Sequence, residues 1–140
     1  MDKLDYIPGD LVMTKTEPND FTPNGVVCEF VSYCNRNKVF VRVAKGVDTF
    51  FLEKEQITPI PLTPEILEKN GWYGVTYSKQ SDDTTNILYK TFKRKGYPTI
   101  KASQDLKITC ELSPFIVKLE SVSDLQHLLF GLGINHEMEV

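Results

Sequence analysis

Long apolar runs are missing from this chain: none of its segments approaches the roughly 20 residues that a membrane-spanning helix requires. Cysteine is scarce. The three present, Cys28, Cys34 and Cys110, are odd in number and irregular in spacing, so no disulfide framework is expected. The opening Met1-Asp2-Lys3-Leu4-Asp5 lacks the basic and then apolar stretches of a secretory leader. These absences together point to a reducing cytosol and a cytoplasmic protein without membrane contact. Positive charge is in deficit as well, with 16 Lys and Arg against 19 Asp and Glu for a formal net charge of −3. A general nucleic-acid binder carries the opposite balance. Catalytic signatures are also wanting: there is no Gly-rich phosphate loop, no Gly-x-Ser-x-Gly elbow and no His-Glu-x-x-His pair. Neither an enzyme nor a cofactor is expected.

What the chain does contain is alternation. Residues 26–33 place Val26, Cys28 and Phe30 on one face of a predicted strand, and Val27, Glu29 and Val31 on the other. Residues 39–43 alternate again after the polar connection Asn35-Arg36-Asn37-Lys38, and residues 49–52 form a β-branched and aromatic run after Lys45-Gly46-Val47-Asp48. A short apolar run at 11–13 precedes a long irregular loop over 15–25, rich in Thr, Pro, Asn and Asp. A polar single turn at 53–56 leads into a last short strand at 57–60. This order resembles an SH3-like barrel, and Gly9-Asp10-Leu11-Val12 with Gly25-Val26-Val27 is similar to the opening of KOW and Tudor-type modules. The resemblance covers about residues 5–60 and implies topology rather than activity. A plain antiparallel meander is the rival reading.

The stretch that follows reads as a folded joint. Pro59 and Pro61 force extended backbone on their predecessors. Thr63 suits a helix N-cap, Pro64 the first helical position and Glu65 the first turn, while Asn70-Gly71 closes a short helix over 64–69. Ile66, Leu67 and Trp72 then need a surface to bury against. Further strands are predicted at 73–79, 85–92, 97–102, 106–112 and 115–119. A second helix over 121–130 carries an apolar stripe of Val122, Leu125, Leu128, Leu129 and Leu132. Its start fits a capping box at Ser123 with Gln126, or at Ser121 with Asp124. The tail from His136 to Val140 alternates like an edge strand, a potential pairing edge for a second copy that leaves a homodimer open. The predicted fold is β-rich α+β: an SH3-like barrel over 1–61 packed, as one unit, on an α+β part over 62–140 with an antiparallel sheet and two short helices.

A second resemblance rests on Pro61-Leu62-Thr63, Gly71-Trp72 and Leu125-Gln126. With these features the chain resembles a group of small proteins encoded by phages and mobile elements of gut Bacteroidetes. Members share an amino-terminal β-part, a Pro-Leu-Thr helix opening with a Gly-aromatic pair behind it, and a late helix with a Leu-Gln core. They often carry a tyrosine and a histidine just before the Leu-Gln pair, where this chain has Ser121 and Ser123 flanking Val122. The resemblance implies a phage-like origin and attaches no activity.

Possible metal ligands, Cys28, Cys34, Cys110, His127 and His136, show no paired spacing of the kind a structural zinc site uses, and no metal is expected. His127 reads as a partly exposed helix residue. The acidic pairs at 82–83, 53 with 55, and 137 with 139 read as solvated carboxylates, and no catalytic residue is assigned. The segment "YKTFKRKGYPTIK" is the candidate ligand-binding element: Lys90, Lys93, Arg94, Lys95 and Lys101 interleave with Phe92 and Tyr97. Such a hairpin can grip phosphates while stacking bases, or it is a turn kept soluble by lysines. Lys15 and Phe21, in the long loop, mark a candidate interaction surface. The favoured function is non-enzymatic binding of a host or phage protein. The alternatives are a nucleic-acid-binding module using the barrel and basic hairpin, and a host-defence antagonist that sequesters a nucleotide signal.

Overall fold

The computed structural model describes residues 6–16, 24–81, 86–103, 107–112 and 115–140. Two antiparallel five-stranded sheets and two helices make up a β-rich α+β fold. The first sheet contains β1 (Leu11–Thr14), β2 (Val27–Tyr33), β3 (Lys38–Val43), β4 (Thr49–Glu53) and β5 (Ile57–Pro59), in the order β4-β3-β2-β1-β5. A 3-10 turn, Lys54–Gln56, links β4 to β5 and is closed by a reciprocal cap between Glu53 and Gln56. Alternation decides which side chains go inward: Val12, Cys28, Phe30, Val39, Val41 and Leu52 are buried together with Tyr6 and Ile57. The sheet is open, with β4 and β5 as its edges, so the closed barrel expected from the resemblance is not formed as such. Pro59 in β5 has no N–H to extend the ladder.

The opposite face of the first sheet is used differently along its width. At β1, Leu11 enters a second core, and Met13, Val27 and Ala44 pack against it. β1 is therefore buried on both faces, Leu11 to one side and Val12 to the other. At β3 and β4 this face stays open.

The joint folds as predicted. α1 (Pro64–Lys69) starts at Thr63, whose Oγ accepts the Ile66 N–H at 3.3 Å, and ends at Asn70, with Gly71 at φ +94°. Leu67 and Trp72 are fully buried in the second core. Around the joint, Leu62 N–H donates to Glu120 C=O and Val122 N–H to Ile60 C=O, strapping the joint to the start of the last helix.

The second sheet runs β10-β9-β8-β7-β6, from β6 (Tyr73–Ser81), β7 (Asn86–Lys93), β8 (Ile100–Ser103), β9 (Ile108–Leu112) and β10 (Phe115–Lys118). Phe92, Ile100, Ala102, Ile108 and Cys110 face the core and pack with Leu119, Val122, Leu125 and Leu129. α2 (Val122–Gly131) is capped by Ser121 with Asp124, the second of the two boxes the sequence allowed. Ser123 Oγ instead bonds Ser121 Oγ at 3.0 Å.

The tail is a correction. Residues 135–140 form no strand, although Met138 and Val140 do pack toward the core. The reason lies in Asn70, whose amide takes both backbone groups of Glu139, accepting its N–H at 2.7 Å and donating to its C=O at 2.7 Å. A side chain thus fills the place of a neighbouring strand.

Candidate functional site

The basic hairpin is built by β7, β8 and their connection, and the fold separates its residues sharply. Phe92 is completely buried in the second core, which corrects its assignment as a contact residue: it has no face to offer a ligand. Arg94 is likewise committed. Its guanidinium lies 3.8 Å from the Tyr97 ring centroid and 5.0 Å from that of Trp72, while Trp72 and Tyr97 meet edge to face at 5.2 Å. Cation–π contacts of this kind fasten the turn to the end of α1. Tyr97 is half-buried and packs against the core. Lys90 stands 3.7 Å from Glu68, and Lys101 3.4 Å from Glu111 on the adjoining strand. Lys93 and Lys95 are the exposed cations of the group, with no ion pair among the described residues. Tyr73, 61% exposed, is directly opposite Lys93 in the β6–β7 ladder. Of the seven candidate residues, Lys93 and Lys95 thus stay exposed with no ion pair among the described residues, and Tyr73, outside the seven, stands beside them.

Of the loop candidates, Lys15 is exposed, its N–H donates to Gln56 C=O at 2.6 Å, and it borders a shallow groove with Thr16, Asn24, Glu55 and Gln56. Phe21 lies outside the described residues.

Two constellations escaped the sequence. The first is an aromatic pair on the open face of β3 and β4. Phe40 and Phe51 are cross-strand partners whose rings stack at 4.8 Å and 29°. Phe51 is 71% exposed, and Val47 in the β3–β4 turn is 91% exposed. Ion pairs frame the stack, Lys38 with Glu53 at 3.9 Å on one side and Arg42 with Glu29 at 2.7 Å on the other. Strand alternation predicts the pair's face, but only the register shows that the two rings meet.

The second constellation sits where the sheets join. Gln126 is fully buried, accepts the Leu11 N–H at 2.8 Å and donates to Gly9 C=O at 3.0 Å and His136 C=O at 3.1 Å. Beside it, the buried Asp10 receives the Ile7 N–H at 2.9 Å and lies 2.5 Å from His127 Nε2. Asp10 Oδ1 has no hydrogen-bond partner among the described residues. Burial pushes the Asp10 carboxyl above its ordinary range, against the pull of the Ile7 and His127 hydrogen bonds and of the charges on His127 and His136. Among the described residues no hydroxyl or thiol is hydrogen-bonded to His127, and the role the pair shows is structural. It fastens α2 to β1.

Cys28 and Cys110 are buried, and burial raises both thiols; Cys34 is exposed. No three His, Cys, Asp or Glu side chains gather as a metal site among the described residues. No described helix is long and apolar enough to cross a membrane. Comparison with protein-family models, curated proteins and solved structures finds no match.

Proposed function

We propose that this chain is a non-enzymatic binding protein acting by protein–protein contact, with the open face of β3 and β4 as its docking surface. The observation that carries the reading is the Phe40–Phe51 stack. Two aromatic rings held in fixed register, one of them largely exposed, supply the rigid apolar anchor that binding hot spots use. The framing ion pairs supply a polar rim. We also read the first sheet as an SH3-like module: its strand order and the 3-10 turn before β5 support this, while its open edge departs from a closed barrel. The likeness to phage and mobile-element proteins makes a host or phage protein the proposed partner and the host cytoplasm the proposed location. The test is affinity capture with mass spectrometry, comparing the native chain with Phe51→Ala. A partner retained through high salt and lost in the variant supports the reading. Equal recovery with both proteins overturns it.

A second reading, nucleic-acid binding, is favoured by Tyr73 opposite Lys93 with Lys95 nearby: one exposed ring and two exposed cations, without an ion pair among the described residues, suit single-stranded backbone and base stacking. It requires affinity that falls with salt and disappears in a Lys93→Glu/Lys95→Glu variant. Nucleotide sequestration, the remaining proposal, draws less support, because Lys90, Arg94 and Lys101 are engaged within the fold.

A further inference from the structure

The outer edge of the second sheet carries a different kind of surface. β10 is its terminal strand, and β9 covers one side of it only. Its first two residues, Phe115 and Ile116, are 71% and 69% exposed. A bare apolar edge strand is a template for further pairing.

The hydrogen-bond pattern fixes what that edge offers. Leu119 N–H donates to Ile108 C=O at 2.9 Å, so Leu119 is directed toward β9. In an antiparallel ladder the backbone groups of successive residues point to opposite sides. Phe115 and Val117 therefore also bond β9, whereas Ile116 and Lys118 direct both N–H and C=O to the free side. The neighbouring ladder agrees: Ser103 N–H donates to Lys107 C=O, which places the Lys101–Thr109 pair in bonding phase and leaves Ile108 and Cys110 to face β10. Side chains alternate between faces as well. Phe115 and Val117 lie on the core side with Cys110 and Leu112, and Ile116 and Lys118 lie on the outer side with Glu111 and Thr109.

We propose that β10 pairs antiparallel with β10 of a second copy, about a two-fold axis through Ile116. An axis perpendicular to the sheet keeps each face on its own side, so only residues of matching face can stand opposite one another. Centring on Ile116 sets Ile116 against itself, with its outward N–H and C=O exchanging two hydrogen bonds. Phe115 then stands opposite Val117 of the other copy on the core side, and each exposed apolar side chain gains an apolar neighbour. Centring on Val117 instead sets Ile116 against Lys118, which leaves the apolar pairing unmet. Self-complementarity of this sort is what a closed two-fold contact demands and what an unrelated partner has no reason to share. The contact adds β10 to β10 and little else, which puts it among small, weak interfaces. It uses none of the residues of the Phe40–Phe51 surface, and the two readings stand or fall separately.

Sedimentation velocity of the full chain across a concentration series reads this directly. The native protein is expected to reach twice the chain mass, and Ile116→Lys, which sets like charges face to face, to weaken dimerisation at least tenfold with an unchanged circular dichroism spectrum. In a Cys34→Ser background, Ile116→Cys is expected to form a disulfide-linked dimer on mild oxidation, because a bonded antiparallel pair holds its Cα atoms about 5.5 Å apart, within disulfide reach. The remaining thiols, Cys28 and Cys110, are buried. A native chain that stays monomeric throughout, a dimer indifferent to Ile116→Lys, or no cross-link at position 116 overturns the proposal. Should Ile116→Lys fail to fold, the cross-link decides.

Discussion

Asp10 lies wholly inside the protein with one carboxylate oxygen bonded and the other without a partner among the described residues. Its pKa is raised above 3.8, chiefly by loss of solvent. A raised acid favours folding when protonated, so its contribution to stability is fully present below that unfolded value and is lost as pH rises through the raised one. Asp10→Asn cannot titrate. The native chain should therefore lose stability relative to Asp10→Asn as pH climbs out of the acid range, a trend read from chemical denaturation at stepped pH. A relative gain with rising pH would show instead that the ionised carboxylate is held by His127.

At the level of elements, the docking of α2 on β1 depends on one amide. Gln126→Leu keeps the volume nearly constant but strands the Leu11 N–H and the carbonyls of Gly9 and His136. Leaving such groups unpaired in a buried setting costs about 1–3 kcal/mol each before relaxation, so a loss of about 3 kcal/mol is expected in denaturant titration. A loss below 1 kcal/mol, about the net worth of one ordinary hydrogen bond, would mean that water takes over these groups. The elements themselves were legible. α1 begins and ends where Thr63, Pro64 and Asn70 place it, because capping is local chemistry. Strands such as β2 and β3 follow from alternation within one residue of the predicted limits. Contacts between distant segments were not legible. Gln126 reads in sequence as a capping partner for Ser123, and nothing adjacent to it signals that Gly9 and Leu11 will be its neighbours. The tail misled for the same reason: its alternation is genuine, but whether a strand forms depends on what lies alongside, and Asn70 lies there. The basic hairpin was visible as composition, yet which cations remain free was decided by Glu68, Glu111 and Trp72 from elsewhere in the chain.

For the molecule as a whole, two buried clusters meet along β1 and are bridged by Gln126, the Asp10–His127 pair and the strap around Pro61 and Ser121. A joint built that way should transmit unfolding from one cluster to the other, giving one cooperative transition. Natural reporters exist on both sides. Cys28 belongs to the first cluster, and Cys110 and Trp72, the chain's single tryptophan, to the second. Thiol labelling at Cys28 and Cys110 should rise at the same denaturant concentration at which Trp72 fluorescence changes. Labelling of Cys28 well before the fluorescence change would show that the sheets open independently.

The bridge at Gln126 also sets a clock. Its partners Leu11 and Gly9 precede it by 115 and 117 positions, nearly the length of the chain. A ribosome delivers β1 before α2, and until α2 emerges, water must serve the groups that Gln126 will take. Closing so wide a loop carries a high entropic cost, and distant pairings slow folding. The backbone groups of β1 thus wait for a helix made more than a hundred residues later.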